Sequence, residues 1–146
     1  MDALSSPEAP FARLDPRAFV GDPKLIRLLE EHSVPTVCEA DGALFRQGEP
    51  PVGLYIFHQG MVTLSMISEN GQSLFAVQAL PGSLLGLPGL LSNQPYSLTA
   101  TARAGAQITF IDCDKFTRLM MSHPQLSAMI LQVLAAEVRS ARRALY

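Results

Sequence analysis

Hydrophobic positions in the middle of the chain recur at every second residue. Val62, Leu64 and Met66 alternate with Thr63 and Ser65, the period of a strand with one buried face. Glu69-Asn70-Gly71-Gln72 follows, and Asn-Gly is a strong hairpin signal, so residues 74–80 are expected to pair back on that strand. Comparable runs rich in β-branched and aromatic residues lie at 54–58, 96–102 and 107–111, with Gly42, Gly48, Gly60 and Pro81-Gly82 at the corners. Short strands separated by regular turns predict a barrel or jelly roll between residues 34 and 112.

The period changes to that of a helix on both sides of this region. Asp22-Pro23 has the form of an N-cap followed by proline at the first helical position, and Leu25, Ile26, Leu28 and Leu29 supply an apolar face before Pro35. Upstream, Pro7, Pro10 and Pro16 break any continuous helix, so residues 1–21 are expected to form an irregular lead-in pinned by Phe11, Leu14 and Phe19, with the domain proper at 22–146. Downstream, Asp112 caps a helix carrying Phe116, Leu119 and Met120, which His123-Pro124 ends. A longer helix over 125–145 follows. Its apolar positions, among them Leu126, Met129, Ile130, Val133, Leu134, Val138 and Ala141, are more than one stripe needs. A helix about 30 Å long with that excess can cover its own barrel and meet a second copy. A homodimer through Leu126, Ile130, Val133, Leu134, Val138 and Ala141 is the expectation. The expected fold is mainly β with flanking helices: a double-stranded β-helix, or jelly roll, with one N-terminal helix and two C-terminal ones.

Composition narrows the function more than the fold. A chain of 146 residues with 48% hydrophobic and 16% charged residues is one globular domain with a packed core. Its net charge of -2 gives no overall pull toward nucleic acid or an anionic membrane. The N-terminus lacks the basic-then-apolar pattern of a signal peptide, and the most apolar stretch, 126–138, is interrupted by Gln132 and shorter than the roughly 20 residues a bilayer requires. A cytoplasmic protein without a membrane partner is expected. Cys38 and Cys113 form no C-x-x-C, so neither a disulfide framework nor a zinc site is indicated. His58 has no second histidine at H-x-H spacing, and one imidazole cannot make a metal site. The methionines read as fillers of a core rather than the lining of a heme pocket. Arg139, Arg142 and Arg143 read as solvated charges complementing a helix C-terminus rather than a DNA contact. No catalytic set of Ser/His/Asp, Cys/His or paired carboxylates stands out, and no enzyme is expected.

The order of elements resembles the cyclic-nucleotide-binding domain of the catabolite activator and anaerobic regulator (Crp/Fnr) family. Gly42-Ala43-Leu44-Phe45-Arg46-Gln47-Gly48-Glu49-Pro50 is similar to that family's first glycine-bounded hairpin, and Leu54 through Val62 to its next strand and turn. Leu80-Pro81-Gly82 and the run of Ile111, Asp112, Phe116, Leu119 and Pro124 extend the likeness over residues 22–145. The resemblance implies a ligand site between Gly86 and Ala102. The family pattern there is Gly-Glu at a helix start and, further on, Arg-Ser/Thr-Ala: helix N–H groups and a guanidinium take the phosphate, and the carboxylate takes the ribose hydroxyl. Here the stretch reads Gly86-Leu87-Pro88, then Tyr96-Ser97-Leu98. Gly86 and Ser97 match. Leu87 stands at the carboxylate position, Tyr96 at the arginine position, and Leu98 at the alanine.

Losing the cationic partner of a buried phosphate costs roughly 3–5 kcal/mol, or two to nearly four orders of magnitude in affinity. The expectation is therefore a regulatory domain that disfavours standard cyclic nucleotides and carries no certain cofactor. It would act through a regulatory protein partner or a different signalling ligand, and the family's DNA-reading module is not visible in the chain. The alternatives are a working receptor with a rearranged site, for which Arg103 is the candidate cation, and a cupin-like metalloenzyme. On the same resemblance, the long helix would face the base of a nucleotide near Ser140 or Ala141.

Overall fold

The computed structural model describes residues 14–31 and 33–144. A short 3-10 turn, Pro16–Phe19, precedes helix α1, Pro23–Leu29. Eight strands follow: β1 Thr36–Val37, β2 Gly42–Phe45, β3 Gly53–Gln59, β4 Val62–Ile67, β5 Ser73–Gln78, β6 Leu84–Leu85, β7 Thr99–Ala102 and β8 Gln107–Asp112. Helix α2, Leu87–Ser92, interrupts them after β6, and α3, Cys113–Ser122, and α4, Pro124–Ala144, close the chain. The strands form two antiparallel four-stranded sheets in the orders β1-β8-β3-β6 and β2-β7-β4-β5. This is the jelly roll that the alternation predicts, with α1, α3 and α4 gathered on the outside of the first sheet.

Two cores explain why some strands alternate and others do not. Inside the roll, Phe45, Phe57, Val62, Leu64, Phe75, Leu85, Tyr96 and Ile108 pack together. Outside the first sheet, Leu54, Ile56, Leu84 and Ile111 pack against Leu25 and Leu29 of α1, Phe116 and Leu119 of α3, and Leu126, Ile130 and Val133 of α4. Strand β3 is therefore covered on both faces, Phe57 facing in and Leu54 and Ile56 facing the helices, and it reads as a continuous apolar run. Strand β4, whose Thr63 and Ser65 are only half-buried, keeps the period of two.

The caps fall where the sequence puts them. Asp22 accepts from the backbone of Lys24 at 2.7 Å, with Pro23 opening α1. Asp112 accepts from the backbone of Lys115 at 2.9 Å and starts α3. Gly60 has a φ of 104°, and a Cβ there would lie 2.7 Å from the Ala106 backbone, so only glycine fits this corner.

Several expectations need correction. The Asn70-Gly71 hairpin forms, with Ser73–Gln78 pairing back on β4, but its loop is longer than two residues: β4 and β5 are joined by 68–72, closed by the Ser68 N–H donating to the Gln72 carbonyl at 2.8 Å. Its Ser68 hydroxyl turns onto Asn70, and the register slips between Met66 and Ile67. Residues 42–50 are not a hairpin either, since β2 pairs with β7 and 46–49 form a turn in which Glu49 accepts from the Arg46 backbone at 2.9 Å. In the run 96–102, only Thr99–Ala102 is strand. The Tyr96 N–H and carbonyl are already bonded to Glu49 and Gly48, at 2.9 and 2.8 Å. Over its described part, the lead-in is held against the rest of the chain: Leu14, Ala18 and Phe19 are buried, and the 3-10 turn packs on α4. Phe11 lies outside the described residues.

Candidate functional site

A cavity of about 130 Å³ opens between the inner face of the roll, α2 and the C-terminal half of α4. Gly86, Pro88, Tyr96, Ser97 and Leu98 come together around it, joined by Phe19, Phe45, Met66 and Phe75 and closed by Glu137 and Ala141. Leu87 does not join them. It is fully buried on the opposite side, in the helix-covered core.

The backbone around Gly86 sets this arrangement. Gly86 adopts a left-handed conformation, φ 92° and ψ 7°, and a Cβ there would stand 2.8 Å from the Tyr96 ring, so glycine is required both by dihedral and by space. Helix α2 then starts with Leu87 and Pro88, and Pro88 brings no N–H to the helix start. The Tyr96 ring stacks on Phe45 with centroids 4.1 Å apart. Its hydroxyl accepts from the backbone N–H groups of Val52 and Gly53, at 2.9 and 3.1 Å, and donates to the Gly53 carbonyl at 2.8 Å. All the hydrogen-bonding capacity of that hydroxyl is thus engaged with the start of β3 and turned away from the cavity. Ser97 is exposed at the mouth.

Glu137 is the site residue that the motif reading misses. Its Oε2 is buried without a hydrogen-bond partner, and burial alone pushes the carboxyl up to about 8. The signal was in the helical spacing: Leu126, Ile130, Val133, Glu137 and Ser140 follow one another at steps of four and three, which places the acid on the inward stripe. Ser140, one step further, is buried and accepts from the Asp15 backbone at 2.9 Å, whereas Ala141 reaches the cavity wall.

The family model described as "Cyclic nucleotide-binding domain" matches residues 35–123. The chain belongs to that family. Among curated relatives, it is 26% identical over 96 residues to the transcriptional activator protein anr of Pseudomonas aeruginosa, a match spanning 66% of this chain and 39% of that protein. It is 24% identical over 118 residues to the CRP-like cAMP-activated global transcriptional regulator of Mycobacterium tuberculosis, covering 81% of this chain and 53% of the relative. The chain thus spans about half or less of the curated relatives it matches. Among solved structures, the Thermus thermophilus catabolite activator protein superposes with a TM-score of 0.68 at 24% identity, over 88% of this chain and 60% of that one. The N-terminal domain of a transcriptional regulator from Streptomyces coelicolor A3(2) gives 0.63 at 21% identity, over 92% and 94%. These likenesses establish the jelly roll and its homology to Crp/Fnr-type regulators.

In this member of the cyclic nucleotide-binding domain family, the residues assigned from sequence to a dimer face are placed differently from that assignment. Leu126, Ile130 and Val133 are buried in the chain's own core, Leu134 packs against the same cluster, and Ala141 lines the cavity. Of the six, Val138 alone is exposed. The inward stripe of α4 is the one the apolar count detects first, because covering the first sheet consumes it. The outward side carries Leu131 and Val138, 63% and 48% exposed, with Ala135 exposed between them.

The other candidates lie apart from the cavity. Arg103 is exposed in the turn after β7 and does not line it. His58 Nε2 sits 2.5 Å from Glu30 Oε2 and 2.9 Å from the Thr109 hydroxyl, which donates to the same carboxylate, so this group ties the end of α1 to β3 and β8. His123 approaches Glu31 at 3.9 Å, and His32 lies outside the described residues. Among the described residues, no three His, Cys, Asp or Glu side chains converge, and no single helix is long and apolar enough to cross a membrane.

Proposed function

We propose that this chain is a non-enzymatic regulatory domain whose pocket does not hold a standard cyclic nucleotide. The observation that carries the reading is Tyr96. At the position where the family's motif has a phosphate-binding arginine, an aromatic ring stacks on Phe45 and its hydroxyl is spent on Val52 and Gly53. Three further features support it. Leu87 is turned into the helix-covered core, Pro88 removes an N–H from the helix start, and the Glu137 carboxyl, when ionised, would repel a phosphate. Among the described residues, no cation lines the cavity to offset these losses.

The reading includes a cytoplasmic homodimer. Its contact would be the outward stripe of α4, where Leu131, Ala135 and Val138 fall at steps of four and three. Output would pass to a regulatory partner protein.

A thermal-shift titration of the purified chain with cyclic AMP and cyclic GMP to millimolar concentration tests the reading. The melting temperature is expected to stay unchanged. A ligand at 100 times its dissociation constant would add about 2.7 kcal/mol, a rise of several degrees, and such a rise would mean a working nucleotide receptor.

A further inference from the structure

The cavity has an unusual balance of groups. Four aromatic rings, those of Phe19, Phe45, Phe75 and Tyr96, contribute to its wall, yet one wall residue is an acid with a buried, unpartnered oxygen. We propose that this cavity is a receptor site for a small, uncharged, ring-sized apolar molecule bearing one carbonyl-type acceptor, with the Glu137 carboxyl as the hydrogen-bond donor. The proposal rests on the reading above, that the pocket is not a standard nucleotide site, and names the class of ligand it takes instead.

Size comes first. The cavity measures about 130 Å³. An apolar cavity of about 150 Å³ is enough to take benzene, so one ring with a short substituent is the scale, which a nucleotide far exceeds. Charge comes second. An anion would find little in the wall to hold it: the Tyr96 hydroxyl is fully engaged, Pro88 has no N–H, no cationic side chain among the described residues lines it, and the remaining polar side chains are Ser97, exposed at the mouth, and the acid itself. A cation would require Glu137 to ionise in surroundings that already hold it protonated at neutral pH, and a buried ion pair rarely repays the desolvation of both partners. A neutral acceptor demands neither. It satisfies the protonated carboxyl and leaves the rest of the wall in apolar contact.

The charged groups around Glu137 do not alter this account. Besides Glu137, the only titratable cavity-lining residue among the described ones is Tyr96. Asp15, Arg17, Arg139 and Arg143 line a separate cleft beside Ser140, where Arg17 pairs with Asp15 at 3.1 Å. The elevation of Glu137 has burial as its single cause, without an opposing contribution from those arginines.

Three probes of one shape separate the cases: acetophenone, benzylammonium and benzoate, titrated into the purified chain by calorimetry. Acetophenone is expected to bind best near neutral pH and to lose about tenfold in affinity between about pH 7 and about pH 9, as the carboxyl ionises. Glu137→Gln keeps an N–H donor, so it should bind acetophenone with that pH dependence abolished. Glu137→Leu, checked for a cooperative melt, should bind it at least tenfold more weakly than wild type at neutral pH. The proposal is overturned by preferred binding of benzylammonium that strengthens with pH, by preferred binding of benzoate, by undiminished acetophenone affinity in Glu137→Leu, or by no acetophenone binding at millimolar concentration. Cyclic nucleotide binding in the parallel titration would instead remove the reading on which the proposal stands, so the two failures are told apart.

Discussion

At the scale of single residues, Tyr96 and Glu137 do opposite things to stability. The Tyr96 hydroxyl closes three hydrogen bonds onto Val52 and Gly53, and Gly53 is closely packed, since a Cβ there would meet the Ile111 carbonyl and the Phe110 ring. Tyr96→Phe keeps the stack on Phe45 but leaves buried backbone groups unpaired. It should cost about 1–3 kcal/mol, read as a fall of roughly 3–10 °C in Tm. Glu137 works against the fold at neutral pH. Its folded-state pKa, about 8, lies above its ordinary value of 4.5, so the folded protein binds the proton more tightly than the unfolded chain does. The contribution is fully present below about pH 4.5 and is lost as pH rises toward 8. Its whole span is on the order of 4–5 kcal/mol. Denaturant melts of wild type should therefore lose stability between about pH 5 and about pH 8, and Glu137→Gln should flatten that slope. A slope unchanged in the variant would mean that other groups govern it.

At the scale of elements, α4 has two sides with different tasks. The inward stripe is committed to the first sheet and the cavity, while Leu131, Ala135 and Val138 remain outside. A pair of charged substitutions, Leu131→Glu with Val138→Glu, touches no core residue. It should leave the melting temperature within a few degrees and convert a dimer to a monomer in analytical ultracentrifugation. A monomeric wild type at micromolar concentration would refute the proposed dimer. Helix α2 carries much of the proposed change of site chemistry in a few residues. It starts at Gly86, Pro88 brings no N–H to that start, and Leu87 faces the helix-covered core.

At the scale of the whole molecule, the legible features are those set by local chemistry. The aspartate caps, the strand alternation of 62–66 and the proline break at 124 act within a few residues, and each stands where the pattern put it. The pairing of β2 with β7 was not legible, because partners more than fifty residues apart leave no local mark, and a glycine-bounded stretch resembles a hairpin whether or not its halves meet. The site was half legible. Gly86, Pro88, Tyr96, Ser97 and Leu98 follow from the motif, but Leu87 turns away because the backbone direction at Gly86 decides which core it enters. Glu137 escaped because an acid on an apolar stripe is ordinarily read by its charge, which favours the solvent side.

Helix α4 is a single continuous element whose residues 137 and 141 line the interior cavity and whose residues 131 and 138 look outward. In the proposed dimer, any coupling between occupancy on one side and association on the other would run through this helix, and thermodynamic reciprocity would make it equal in both directions. If filling the cavity tightens the pairing of two copies by some factor, pairing tightens the cavity's hold by the same factor. The abundance of the protein would then set the sensitivity of its own response, so that dilution alone, with no change in any signal, turns it down.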